Sequence, residues 1–181
     1  MRRLACGRGA ALAILSLLAF VLFARPALAE PASPAQSLAP ARLAQISENC
    51  TSIKQSLTQL QRADSRTRSY LGSSYETVAT KFLSPLSLRL TKNNYSAPDI
   101  MNIQSEFSIA QSIFRSQYTS YMRDLENLLS TDCQAHPEEF SNRLDAARES
   151  RASLHQTTLR LNQLITEQIT AVRALQEALH E

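Results

Sequence analysis

The clearest pattern in the chain is a set of apolar residues that recur in steps of three and four along three long segments. This spacing places them on one face of a helix. The pattern predicts helices over residues 42–92, 98–131 and 137–180, within a single domain that covers residues 42–181. The first apolar stripe consists of Leu43, Ile46, Cys50, Ile53, Leu57 and Leu60 and then Leu71, Tyr75, Val78, Phe82 and Leu86.

Two features of the first predicted helix indicate that it is not straight. The apolar stripe fades over residues 61–69, and Gly72 lowers the helix propensity where the stripe resumes. Further on, Ser84 and Pro85 have the form of an N-cap followed by a proline in the first helical position. We therefore expect a break or kink near Gly72 or Ser84-Pro85.

The connections between the predicted helices are short. Residues 93–99 combine two asparagines with Pro98 and Asp99, which is typical of a turn. Residues 132–137 form the second connection, and Pro137 with two following glutamates marks a helix start. Because short connections join antiparallel neighbours, the sequence predicts an all-α fold, an elongated antiparallel three-helix bundle with coiled-coil-like packing. Its third helix has an imperfect heptad pattern, since three polar residues lie on the apolar face: Arg151, Thr158 and Gln168.

A hairpin of the first two helices, folded about Tyr95, predicts which residues lie side by side. Tyr70 should lie level with Tyr121, and Phe82 near Phe107. We expect the aromatic residues of this half to form core rather than a ligand pocket. They are Tyr70, Tyr75, Phe82, Phe107, Phe114, Tyr118 and Tyr121.

Residues 1–29 have the pattern of a secretory signal peptide. Three arginines precede an uncharged, Leu- and Ala-rich run over residues 10–24, and residues 27–29 supply the small side chains before a cleavage site at Glu30. The run is shorter than the roughly 20 residues that span a membrane. Residues 30–41, with three prolines, should form a flexible tether. We expect a periplasmic, cell-surface or extracellular protein, which meets a membrane only if this N-terminal helix stays uncleaved.

Two cysteines, Cys50 and Cys133, lie beyond the predicted signal peptide. An even number of cysteines in an exported protein favours a disulfide. In a straight hairpin Cys50 lies about seven residues, or roughly 10 Å, past the level of Cys133, whereas bridged Cα atoms are about 4.4–6.8 Å apart. A break in the first helix would close this gap. We expect a Cys50–Cys133 disulfide, with two separate buried thiols as the alternative.

The composition argues against several kinds of partner. Four of the 19 Lys and Arg residues lie in residues 1–29, which leaves 15 against 16 Asp and Glu and a net charge of −1. This balance gives no reason to expect nucleic acid or an anionic membrane as partner. Gly72 is the one glycine beyond residue 29, so the chain lacks a phosphate-binding glycine loop.

The sequence predicts no catalytic, cofactor-binding or metal site. Cys133 and His136 have a zinc-like spacing, but a structural zinc site needs four ligands and no second pair exists. No acid, base and nucleophile converge with His155 at helical spacings. We therefore expect a protein that is not an enzyme.

One charged run interrupts the first stripe: Arg62, Asp64, Arg66 and Arg68. It could form an anion-binding or partner-binding patch. A solvated face with one polar layer at Asp64 is the commoner outcome of such a run, and we favour it.

Five short motifs lie on the predicted helices and beside the cysteines: Asn49-Cys50, Leu60-Gln61-Arg62-Ala63-Asp64, Ser84-Pro85-Leu86, Asp132-Cys133 and Ala147-Arg148. Through them the chain resembles a group of uncharacterised exported helical proteins of ultrasmall candidate-phylum bacteria, over most of residues 48–180. The resemblance implies a two-cysteine helical architecture in a bacterial envelope or extracellular setting. It implies no activity, because none is established for the group.

These observations together predict an exported, non-enzymatic structural or protein-interaction helical bundle. Its partner should be a protein, with self-association as a further option. Two alternatives stay open. One is a periplasmic chaperone or carrier that binds unfolded chains or apolar ligands between its helices. The other is a membrane-anchored coiled-coil component that retains its N-terminal helix.

Overall fold

The structure, a computed structural model, describes residues 40–180, and these are almost entirely helical. The elements are α1 (Pro40–Glu48), α2 (Cys50–Thr77), a π-helical segment (Val78–Leu83), α3 (Ser84–Lys92), α4 (Pro98–Ser130) and α5 (Pro137–Ala178). Residues 40–180 contain no strand, which confirms the all-α class. The predicted signal peptide lies outside the described residues, as does the predicted tether except for its last two residues, which belong to α1.

Both long helices begin at a proline that is followed by acidic side chains. Pro98 and Pro137 lie in the first turns of α4 and α5, where a missing N–H leaves no helical hydrogen bond unmade. Asp99 follows the first proline, and Glu138 and Glu139 follow the second. These side chains place negative charge at the positive end of each helix dipole, which stabilises the helix start.

The first predicted helix is divided into α1, α2, the π-helical segment and α3. α2 runs through Gly72 as a regular helix. The π-helical segment ends where Pro85 enters the first turn of α3. Because Pro85 has no N–H and its ring crowds the carbonyl four residues earlier, the wider hydrogen-bond pattern of a π-helix suits this position. The predicted kink concerns the direction of the helix axis and stays a prediction.

The connection between α3 and α4 is a turn built on asparagines. Asn94 has a φ of 57°, in the left-handed region that asparagine tolerates better than most residues. The Asn93 side chain donates to the carbonyl of Arg89 at 2.8 Å, and the N–H of Tyr95 donates to the carbonyl of Leu90 at 3.0 Å. These bonds satisfy carbonyls that the end of α3 would otherwise leave free.

α4 occupies the centre of the helical unit. It packs against α5, α2 and the π-helical segment, while α1 packs against α2 and α5. Tyr75 of α2 meets Phe107 and Phe114 of α4 edge to face, with ring centroids 6.2 and 5.4 Å apart. The other fully buried large side chains of α4 and α5 are Ile100, Tyr121, Leu125, Leu128, Phe140, Leu154, Leu161 and Leu164.

The predicted register of the first hairpin is wrong at Tyr70 and Tyr121, although contacts nearer the turn, such as that of Ser87 with Gln104, agree with it. Tyr121 contacts Asp64 rather than lying level with Tyr70, which is exposed. Between this contact and that of Ser87 with Gln104, the chain from α2 to α3 advances 23 residues, whereas α4 advances 17. Two straight helices would advance equally. The α2–α3 side therefore follows a longer or more tightly wound path than α4.

The π-helical segment also shifts the apolar stripe by one residue. The sequence pattern placed Phe82 and Leu86 toward the core, but Phe82 is exposed, and the structure buries Leu83 and Ser87 in their place. A π-helix holds more residues in each turn than an α-helix, so one residue is inserted into the helical period. The prediction that all seven aromatic residues form core is therefore wrong for Phe82, as it is for Tyr70.

The disulfide prediction is confirmed. Cys50, the first residue of α2, and Cys133, in the connection between α4 and α5, are bonded, and their Cα atoms lie 5.5 Å apart. The altered register removes the overhang of a straight hairpin. Beside the bond, Asp132 accepts hydrogen bonds from the N–H groups of Gln134 and Ala135 at 2.9 and 3.1 Å. The Ala135 bond, followed by the Gln134 bond, lowers the pKa of Asp132 and orders this connection.

Candidate functional site

One surface between helices carries buried polar atoms that have no hydrogen-bond partner among the described residues. We call it the α2–α5 seam, and it is the surface where side chains of α2, the π-helical segment and α3 face α5. Three contacts cross it, and residue numbers rise together on both sides. They join Asp64 to Arg151, Arg68 to Thr158 and Tyr75 to Asn162. Polar side chains also join α4 to its neighbours, but the unpartnered polar atoms of Arg68 and Gln168 lie on this seam.

Asp64 is the centre of a buried hydrogen-bond network on the seam. Its carboxylate accepts bonds from Arg151 at 2.7 and 3.2 Å and from the Tyr121 hydroxyl at 2.6 Å. Burial alone would raise the pKa of Asp64, but the bonds from Arg151 and Tyr121 outweigh burial and lower that pKa. Burial, followed by the Asp64 carboxylate, raises the pKa of Tyr121. The hydroxyl therefore stays protonated and donates.

The charged run of α2 divides into exposed and buried members. Arg62 and Arg66 are exposed, as a solvated face requires, whereas Asp64 and Arg68 are each only 9% exposed. Arg68 donates from Nη1 to the Thr158 hydroxyl at 3.1 Å, but its Nε has no hydrogen-bond partner among the described residues. Arg68 is thus a buried cation with an unused donor, whereas the favoured interpretation of this run placed only Asp64 in a polar layer.

Toward the tip of the α3–α4 turn, the seam opens into an apolar groove with a volume of about 580 Å³. The apolar groove lies between the π-helical segment and α3 on one side and the C-terminal half of α5 on the other. Its apolar lining residues are Val78, Phe82, Leu83, Pro85, Leu86, Ile165, Ile169 and Val172. The π-helical segment shapes this groove, because it turns Phe82 away from the core and toward the groove.

The polar residues of the apolar groove are cations and amides. Lys81, Arg89 and Arg173 lie at its edge, and no acidic side chain lines it. Gln168 also lines it, yet this residue is only 6% exposed and neither its amide nitrogen nor its amide oxygen has a partner among the described residues. A buried, unpaired amide is costly. The groove therefore combines apolar walls and positive charge, and one of its lining residues, Gln168, has a buried pair of hydrogen-bonding atoms without partners.

A second cavity of about 420 Å³ lies on the same seam, nearer the disulfide. We call it the basic pocket. Its lining residues are Arg68 of α2 and Arg148, Arg151, Ala152 and His155 of α5. The two cavities are separated by the stretch of α5 from His155 to Ile165, which is about 15 Å long.

The residues that the sequence singled out for chemistry do not converge. Cys133 is bonded to Cys50, so it is not available as a partner of His136 in a zinc site. Within residues 40–180, no group of three metal-ligating side chains lies close enough together to hold an ion. None of the helices over these residues has the length and apolar character that a membrane span requires. Two of the three contacts across the seam use Arg151 and Thr158, and Gln168 lies on it without a partner; the sequence pattern marked all three only as irregularities of a heptad.

Comparisons with protein-family models, curated proteins and solved structures found no significant match for this chain. The resemblance to exported helical proteins of ultrasmall bacteria therefore stays a prediction from the sequence. Any functional proposal must be argued from the groove, the pocket and their charges.

Proposed function

We propose that this protein is an exported, non-enzymatic interaction protein, and that it binds an amphipathic helix of a partner protein in the apolar groove. The occupant we propose has an apolar face and an acidic flank. The observation that carries the proposal is the apolar groove itself, with apolar walls from two helical arms, three cations at its edge and no acidic lining residue.

The chemistry of the groove favours this occupant over an uncharged one. Amphipathic helices bind in apolar grooves through side chains at helical spacing. Acidic residues beside that apolar face would meet Lys81, Arg89 and Arg173, and such charge complementarity speeds association and excludes basic partners. The exposed Phe82 and Ile169 supply the aromatic and aliphatic surface that interface centres favour.

The proposal includes the finer architecture predicted from the sequence. The three arms of an antiparallel bundle would be α2 to α3, α4 and α5, with a kink at Ser84-Pro85 in the first arm. The opposite residue order of contacts between α2 and α4 and between α4 and α5 supports the antiparallel arrangement. A kink beside the π-helical segment would tilt α3 relative to α2 and hold the groove open against α5.

A second candidate function is that of a carrier for an apolar ligand with a polar head. Gln168 favours it, because the buried amide has a donor and an acceptor without partners next to the apolar walls. The groove volume also falls within the range of about 300–1,000 Å³ that is common for small-molecule sites. A carrier would copurify with its ligand, which mass spectrometry of an organic extract would detect.

The interaction proposal can be tested with two helical peptides of equal apolar face, one flanked by Glu and one by Lys. We expect saturable binding of the Glu peptide and at least tenfold weaker binding of the Lys peptide. I169E should abolish binding, whereas I109E, at an exposed isoleucine of α4, should leave it unchanged; Ile169 and Ile109 are 48% and 58% exposed. Equal binding of both peptides, or equal loss in both variants, would contradict the proposal.

Export and lack of enzymatic activity are tested separately. The intact mass of the protein recovered from a secreting host should correspond to a chain that begins at Glu30. On reduction this mass should rise by that of two hydrogen atoms. A mass that includes Met1 would instead favour the membrane-anchored alternative. Turnover of a peptidoglycan, peptide or ester substrate that one substitution abolishes would overturn the non-enzymatic proposal.

A further inference from the structure

The basic pocket has a surplus of positive charge that the protein does not neutralise. Arg151 is paired with Asp64 at 2.7 Å, and Arg148 is paired with Asp145 at 2.8 Å. Arg68 has no such carboxylate bond, because its Nη1 donates to a neutral hydroxyl and its Nε donates to no atom of the described residues. Arg68, which lines the pocket and is only 9% exposed as a residue, therefore keeps a buried donor without a partner.

The pocket is arranged so that its donors converge. Arg148, Arg151 and His155 follow one another at steps of three and four on α5, which places them on one face of that helix. Arg68 approaches the same face from α2. Ala152 also lines the pocket and has no side chain beyond Cβ, which leaves room in it. The pocket is therefore lined by arginines from two helices.

We infer that the basic pocket binds a tetrahedral oxyanion, a phosphate or sulfate group. Guanidinium groups match the oxygens of such ions in geometry as well as charge. The oxyanion would lie against Arg68 and the arginines of α5 and would neutralise the surplus charge, since leaving a buried cation unpaired is costly. The same group can come from a free inorganic ion or from a small phosphate ester. This inference is independent of the apolar groove and of the helix proposed to bind there.

The test is an NMR titration of the oxidised protein with inorganic phosphate, inorganic sulfate and glycerol phosphate, at constant ionic strength adjusted with chloride. We expect the Nε–Hε resonance of Arg68 to shift saturably with phosphate and sulfate. If glycerol phosphate saturates the shift at a lower concentration than inorganic phosphate does, a phosphate ester is the better ligand. If it needs a higher concentration than inorganic phosphate, the free ion is the better ligand. Shifts that grow linearly, or that chloride and acetate reproduce, would overturn the inference.

Three charge-matched variants locate the site. R148Q removes an exposed arginine and should fold normally, and we expect its midpoint concentration for phosphate to rise at least tenfold. R68Q should lose the saturable phosphate-induced rise in melting temperature. R66Q removes an exposed arginine of α2 that does not line the pocket, and its midpoint should stay within twofold of the parent protein. Equal weakening by R66Q and R148Q would show general screening instead of a site.

Discussion

The two faces that border α5 are built in different ways. Toward α4, α5 buries large apolar side chains such as Leu154 and Leu161. Polar side chains bridge α5 to α4 and to α2 alike, but toward α2 two buried residues, Arg68 and Gln168, retain polar atoms without partners among the described residues. Since packing around α4 supplies the apolar core, the α2–α5 seam can carry polar groups that a core would exclude. The difference indicates which face stabilises the fold and which face is available for binding.

The largest effect on stability should come from the apolar core around α4. F114A should lower the free energy of unfolding by about 3–5 kcal/mol, because Phe114 is buried and packs edge to face against Tyr75. I113A, at the neighbouring exposed residue, should change it by about 0.5 kcal/mol or less. Urea unfolding followed by circular dichroism measures both. Similar losses in the two variants would mean that α4 is not the centre of the core.

Loss of the disulfide should have the second largest effect on stability. C50S should lower the free energy of unfolding by about 2–4 kcal/mol, since the bond restricts a long loop of the unfolded chain. The fold should keep its helix content because the apolar core remains. C133S and the double variant should behave like C50S, as each loses the same bond. Thermal melts with and without reductant measure the effect, and additive losses in the double variant would contradict it.

The network at Asp64 should make the seam sensitive to acid. The folded protein holds the pKa of Asp64 below its ordinary value of 3.8, so the stabilisation by this carboxylate is complete above that value and is lost as the pH falls below it. D64N should lower the free energy of unfolding by about 1–3 kcal/mol at neutral pH, through weaker bonds from Arg151 and Tyr121.

The pH profile separates this effect from a general acid effect. The difference between D64N and the parent protein should shrink as the pH is lowered from 5 to 2.5, because protonation removes the same charge in the parent. D145N, at an exposed ion pair of α5, should show a much smaller difference throughout. A D64N deficit that stays constant across this range would show that the charge of Asp64 is irrelevant.

The smallest effect should be a gain in stability. Q168L should raise the free energy of unfolding by about 1 kcal/mol, because it removes a buried amide without partners. Q156L, at an exposed glutamine of α5, serves as the control and should show no gain. If the groove is a carrier site, Q168L should also lose its copurifying ligand. A loss of stability in Q168L would mean that the amide has a partner in solution.

The sequence predicts most of the fold because helical periodicity is a local signal. The starts of α4 and α5 follow from Pro98 and Pro137 with their acidic neighbours. The disulfide follows from the cysteine number and the expected oxidising compartment. The register of α2 against α4 could not be predicted in this way, because the α2–α3 side advances 23 residues where α4 advances 17, and the π-helical segment inserts a residue on that side. That insertion has no periodic signature of its own, although Pro85 marks where it ends.

The candidate site is less visible in the sequence than the fold. The apolar groove depends on Phe82 being exposed and Leu83 being buried, which reverses the prediction from periodicity. The basic pocket joins Arg68 to arginines some 80 residues away in the chain, and only the three-dimensional packing brings them together. Two signals were available: the charged run over residues 62–68, and the polar positions Arg151, Thr158 and Gln168, because a polar residue on an apolar face requires a local reason.

The disulfide also decides how the molecule would respond to mechanical load. A force that pulls on the two ends of residues 40–180 passes directly from Cys50 to Cys133, so α2, α3 and α4 carry none of it. The load falls on α1 and α5, which lie outside the covalent ring. Extending the 47 residues from Cys133 to His180 would release about 160 Å of chain at roughly 3.4 Å per residue. The molecule would therefore extend by a limited length, and the disulfide would then resist further extension.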